Sequence, residues 1–101
     1  MAFLRAARKD EIPVGTIREF QVDGNTLAIS NVDGRFFAIH NTCLHRGGPL
    51  GQGELQGTVV VCPWHGWQFD VTSGKVPLNP AVGVACFPVE VRGEDIWVDC
   101  G

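Results

Sequence analysis

Apolar positions along this chain come in short runs, cut by Gly, Pro, Asn and Asp. That pattern predicts strands joined by tight turns, with no stretch of helical period. Phe3 to Ala7 predicts a first strand, ended by Lys9–Asp10–Glu11 and by Pro13–Val14–Gly15. Thr16 to Val22 and Thr26 to Val32 flank Asp23–Gly24–Asn25, a strong hairpin signal. In the second run Leu27 and Ile29 share a face, the period of two that a half-buried strand requires. Asp33–Gly34 opens another hairpin into Arg35 to His40, so this half reads as an antiparallel meander.

The middle breaks the pattern. Asn41 to Gly53 holds Gly47, Gly48, Pro49, Gly51 and Gly53, which argues against any regular element there. Thr58 to Val61 is a short β-branched strand that runs straight into Cys62–Pro63–Trp64–His65–Gly66. Trp67 to Asp70 predicts a brief strand before the Thr72–Ser73–Gly74 turn. Val76 to Gly83 contains Pro77 and Pro80 and reads as a loop. Val84 to Val91, the Arg92–Gly93–Glu94–Asp95 turn and Ile96 to Asp99 predict a closing hairpin. The expectation is an all-β chain of antiparallel hairpins, one domain over residues 1–101, with no linker or repeat.

Composition narrows the function. A chain of 101 residues has a thin core, burying about 60–70% of its unfolded surface. The net charge of −3 and the absence of a basic stripe exclude nucleic-acid binding as an expectation. The apolar runs are too short for a signal sequence or a membrane span, so the chain reads as soluble, monomeric and cytoplasmic.

Four cysteines are present, and two of them lie close to histidines. Cys43-x-His45 is followed after sixteen residues by Cys62-x-x-His65. Each loop offers one thiolate and one imidazole, which suits a binuclear iron–sulfur cluster with sulfur on one iron and nitrogen on the other. Cys43 and Cys62 would then bind one iron, and His45 and His65 the other. A zinc finger instead pairs its cysteines in one segment and its histidines in the next. Cys86, in an apolar run, reads as a small core hydrophobe, and Cys100 as an exposed terminal thiol. His40 reads as an ordinary strand-end histidine, with a role in proton transfer as the lesser alternative. Arg46 serves either to steer a partner or to solvate its loop.

The segments Cys43–Leu44–His45–Arg46–Gly47 and Cys62–Pro63–Trp64–His65–Gly66 resemble the two cluster-binding boxes of the Rieske family. The resemblance extends through Gln68–Phe69–Asp70, Ser73–Gly74–Lys75 and the proline loop at Pro77 to Pro80. It implies a small Rieske-type β-sandwich carrying a cluster-binding subdomain. Its two ligand loops lie at about residues 41–53 and 62–67, with a proline loop at about 76–83. The implied cofactor is one [2Fe–2S] cluster. Within the family the chain is similar to the soluble ferredoxins of bacterial ring-hydroxylating oxygenases. That implies a one-electron carrier between an NAD(P)H-dependent flavoprotein ferredoxin reductase and a terminal oxygenase.

Rieske proteins of quinol-oxidising complexes carry a further cysteine in each box, and the two form a disulfide. Gly48 and Trp64 occupy those positions here. Where that branch places hydroxyl donors after the second ligand histidine, this chain has Trp67 and Phe69. Fewer hydrogen bonds to sulfur imply a lower potential. Trp64 and Trp67 are expected to pack beside the cluster, and Pro49, Leu50 and Pro80 to form an apolar rim for a partner. A Rieske-type small or accessory subunit of a nitrite reductase is the alternative, but many of those subunits lack the ligands that this chain keeps. An oxygenase in its own right is excluded. A 2-His-1-carboxylate iron site needs two histidines beyond the cluster's pair, and the chain has three histidines in all.

Overall fold

The computed structural model describes residues 3–42, 48–64 and 66–100. Among them the strands are β1 (Leu4–Arg8), β2 (Ile17–Val22), β3 (Asn25–Val32), β4 (Arg35–His40), β5 (Glu54–Gln56), β6 (Val59–Val61), β7 (Gln68–Asp70), β8 (Lys75–Val76), β9 (Asn79–Gly83), β10 (Cys86–Phe87), β11 (Val89–Arg92) and β12 (Asp95–Val98). All pairings between them are antiparallel. The first sheet runs β1-β12-β11, the second β10-β4-β3-β2, the third β5-β6-β7, and β8-β9 form a separate ribbon.

The hairpin turns follow from their residues. Val22 pairs with Asn25 and Val32 with Arg35, so each turn has two central residues, Asp23–Gly24 and Asp33–Gly34. All four have positive φ, between 49° and 89°. That is the turn whose twist matches the flanking strands, and Asp-Gly is a favoured pair for it.

The second sheet is buried on both faces. Leu27 and Ile29 of β3 join Val22, Phe36 and Ala38, packing against Ala7, Ile96 and Val98 of the first sheet. Their neighbours Ala28 and Ile39 pack the other way, with Ile17, against Leu50, Val60, Cys62, Phe69 and Val71. The half-buried reading of β3 is therefore corrected. Its period of two is real, but small and β-branched side chains on the alternate positions carry a second core. The third sheet, which holds the ligand segment after β6, is packed onto that second core.

Three further expectations change. Residues 41–53 are not wholly irregular. Thr42 bridges to Pro49, and Leu50–Gln52 form a 3-10 turn closed by Gly53 N–H donating to the Leu50 carbonyl at 3.0 Å. The proline loop is a hairpin. Val76 pairs with Asn79 across Pro77–Leu78, and Lys75 with Gly83. Pro80 is tolerated because a two-stranded ribbon has free edges, where a missing N–H costs no ladder bond. The run from Val84 to Val91 is not one strand. Its β10 part pairs with β4, whereas β11 pairs with β12 in the other sheet. Pro88 lies at the break, and the chain changes sheet there. No helix among the described residues is long and apolar enough to cross a membrane.

Candidate metal centre

The segment with the second expected ligand pair starts from a hairpin. Val61 pairs with Gln68, and Cys62 N–H donates to the Trp67 carbonyl at 2.7 Å, closing the ladder one step further. Gly66, before the returning strand, has φ 73°, a conformation that costs a side-chain-bearing residue more. The Cys62 side chain is turned back into the second core and is 2% exposed. Phe69, on the returning strand, is fully buried in the same cluster, and Trp67 packs against it with ring centroids 6.4 Å apart.

The first segment is bounded by the Thr42–Pro49 bridge. Cys43, His45 and Arg46 lie outside the described residues, as does His65, so of the four expected ligands only Cys62 has a described environment. What is described is the contact between the two segments. A methyl group on Gly48 would sit 2.7 Å from Cys62 Sγ and 3.1 Å from Trp64 Cβ. The glycine is thus required by close approach, since any side chain would displace the sulfur. The Gly48–Trp64 contact also brings together the two positions where the quinol-oxidising branch carries its disulfide, which spans about 3.5–4.5 Å between Cβ atoms. Here an indole lies against a glycine instead.

This chain matches the model of the Rieske [2Fe–2S] domain over residues 2–88. The chain belongs to the Rieske [2Fe–2S] family. It is 38% identical over 101 residues to the biphenyl dioxygenase ferredoxin subunit of Pseudomonas sp. strain KKS102, covering 98% of this chain and 93% of that protein. Among solved structures it is similar to the ferredoxin of carbazole 1,9a-dioxygenase from Nocardioides aromaticivorans IC177. That match has a TM-score of 0.89 and 29% identity, over 97% of each chain. It also matches a chain in a complex of reduced oxygenase and oxidized ferredoxin in carbazole 1,9a-dioxygenase. The TM-score there is 0.81 at 33% identity, over 95% of this chain and 91% of that one.

Membership of the Rieske family makes one [2Fe–2S] cluster the resident group, and the described residues fit it. A buried thiol is held against a neighbouring segment that carries no side chain at the point of contact. Phe69 lies in the same buried cluster as this thiol, and Trp67 packs against that cluster. The other two thiols sit elsewhere, and their expected settings are reversed. Cys86 is exposed, because its short strand lies at the edge of the second sheet; its sulfur donates to the Thr72 carbonyl at 3.7 Å. Cys100 is half-buried against the first core. Burial first, and then Asp70, raise the Cys86 thiol above its ordinary range; burial, then Asp23 and Asp99, do so for Cys100. Both therefore hold their protons at neutral pH, unlike a ligand thiolate.

His40 ends β4, and its Nδ1 accepts a hydrogen bond from Thr42 N–H at 3.2 Å, which fits the strand-end reading. Leu50 is no part of an exposed rim. It is wholly buried in the second core, because the 3-10 turn points it inward, whereas Pro80 is exposed and Pro49 half-buried. Sequence reasoning missed Glu19, Asn41 and Gln52. Asn41 is 6% exposed and donates to Glu19 Oε2 at 2.5 Å, while Gln52 donates to Glu19 Oε1 at 2.9 Å. A buried Asn just before the first box was the available signal, but its partner is 22 residues upstream on another strand.

Gly48→Ala is expected to leave the sandwich folded by circular dichroism while abolishing most of the iron content, measured colorimetrically per chain. Full iron occupancy would mean that the two segments have room to spare.

Proposed function

We propose that this protein is a soluble, cytoplasmic, monomeric electron carrier with Cys43, His45, Cys62 and His65 as the ligands of its cluster. It acts as a single Rieske domain over residues 1–101 and is not itself an enzyme. It takes single electrons from an NAD(P)H-dependent flavoprotein reductase and delivers them to a terminal oxygenase. The cluster supplies the one-electron couple. The observation that carries this reading is the placement of the buried Cys62 sulfur where the two ligand segments meet, beside an uncharged apolar edge. The names of the relatives, ferredoxin components of dioxygenase systems, support the choice of partners.

The chain's own residues tune and expose the centre. Phe69 and Trp67, which share a core cluster with Cys62, carry rings that bear no hydroxyl, so neither donates an O–H to sulfur. A sulfur with fewer donors holds the oxidised state more firmly and lowers the potential. On the outside, no charged residue occurs from Thr58 to Phe69 or from Val76 to Val89. Leu78, at the tip of the β8–β9 hairpin, is 96% exposed, and Trp64 is 49% exposed. Val76, Pro77 and Leu78 face Gly66, Trp67 and Gln68 across a cavity of about 290 Å³. Apolar surface depleted of charge is the composition of an interface core. The docking rim is thus built by Pro77 and Leu78, and the net charge of −3 supplies longer-range guidance toward basic partners.

Protein-film voltammetry should place the potential in the lower part of the Rieske range, at about −150 to 0 mV. A value above about +100 mV would contradict a carrier fed from NAD(P)H. Leu78→Asp should leave the visible spectrum and potential unchanged. It should slow reoxidation by the terminal oxygenase roughly tenfold at sub-saturating concentration, the equivalent of about 1.4 kcal/mol of docking energy. An unchanged rate would remove the hairpin tip from the interface.

A further inference from the structure

We propose that Glu19 and Asn41 are positioning residues: together they clamp the base of the segment bearing Cys43 and His45, through hydrogen bonds whose direction matters and whose charge does not. The proposal rests on those two residues being ligands, as inferred above.

The segment departs after Asn41 and Thr42 and returns through Pro49 to Gly51. Its base is closed by the Thr42–Pro49 bridge and by Leu50 N–H donating to the Asn41 carbonyl at 2.7 Å. Asn41 does more than close a turn. Its Oδ1 accepts from Gly51 N–H at 2.7 Å, and its Nδ2 donates to Glu19 Oε2 at 2.5 Å. Its own N–H donates to the Thr26 carbonyl at 3.2 Å. Glu19, on β2, completes the clamp by accepting from Gln52 Nε2 on the returning side. Outgoing and returning strands of the segment are therefore tied to the same carboxylate.

Gly51 makes the approach possible. A methyl group there would lie 2.8 Å from Asn41 Oδ1 and 2.9 Å from the Glu19 main-chain nitrogen. Fixing both ends of a short excursion removes conformations that it would otherwise sample before its ligands are engaged. The bonds also have one consistent assignment. Glu19 only accepts, Asn41 donates to it and accepts from Gly51, and Gln52 donates.

That assignment can be reversed without loss of a bond. Asn41→Asp alone removes the amide donor and sets a second carboxylate against the Glu19 carboxylate, an unfavourable like-charge contact. Adding Glu19→Gln restores the pair: the new amide donates to the new carboxylate, which still accepts from Gly51 N–H. The new amide's oxygen still accepts from Gln52. Glu19→Gln alone is also satisfied, once the Gln52 amide turns over.

The test compares wild type, Asn41→Asp, Glu19→Gln and the double variant as purified holoproteins. Release of iron to an excess of chelator is followed by visible absorbance, with the EPR line shape of the reduced form and the urea midpoint measured in parallel. Asn41→Asp should release iron roughly tenfold faster with broadened g-values, as expected of a partly buried polar pair left unmatched. Glu19→Gln and the double variant should fall within roughly twofold of wild type, with its line shape. If Asn41→Asp accumulates no loaded protein, recovery of loaded protein in the double variant supports the clamp. Equal release from wild type and Asn41→Asp overturns it, as does a double variant no better than Asn41→Asp. A change confined to the urea midpoint, with release and g-values unmoved, overturns the positioning role. A wild type without iron and sulfide would instead refute the ligand assignment on which the proposal rests.

Discussion

Strands β3 and β4 must satisfy two cores at once. Leu27, Ile29, Phe36 and Ala38 point toward the first sheet, and Ala28 and Ile39 toward the sheet that carries Cys62. A shift of one residue in the register of either strand would exchange these sets and spoil both cores. The hairpin turns at Asp23–Gly24 and Asp33–Gly34 hold that register through their positive φ angles. Stability of the sandwich and placement of the metal centre are therefore set by the same two strands. Ala28 and Ile39 share one buried cluster with Cys62, so substitutions there bear on the core that holds it.

From this base the two segments proposed to carry the ligands are anchored by different means. The second is an extension of a β ladder: Cys62 is fixed by the Trp67 carbonyl and by burial beside Phe69. The first is held at its base by the Asn41 and Glu19 hydrogen bonds. Gly48 lets the two meet at the sulfur. No charged residue occurs from Thr58 to Phe69 or from Val76 to Val89, and the exposed Leu78 lines the cavity shared with the second segment. A buried donor beside an apolar rim suits a protein that must exchange electrons with more than one partner while excluding water from its centre.

Much of this was legible in the residues. The Asp-Gly turns marked the meander, and the two Cys/His boxes, by order and spacing, marked the Rieske family. The errors have physical causes. Period-two patterning reports one apolar face, but Ala28 is too small to register as apolar patterning on the other. Prolines suggested a loop at 76–83, whereas an isolated ribbon accommodates Pro80 at a free edge. The apolar run around Pro88 hid a change of sheet, because hydrophobicity alone cannot say which core a residue joins. Leu50 looked like a rim residue until the 3-10 turn directed it inward. The Glu19–Asn41 pair left no local trace, since its members meet only when β2 and the end of β4 come together.

The central claim is that two imidazoles and two thiolates from the two boxes hold one cluster. Pulsed EPR of the reduced protein grown with ¹⁵N-histidine tests it most directly. The account predicts strong couplings from two inequivalent histidine nitrogens, both unchanged in His40→Ala. An absence of strong nitrogen coupling, or loss of one coupling in His40→Ala, would contradict it.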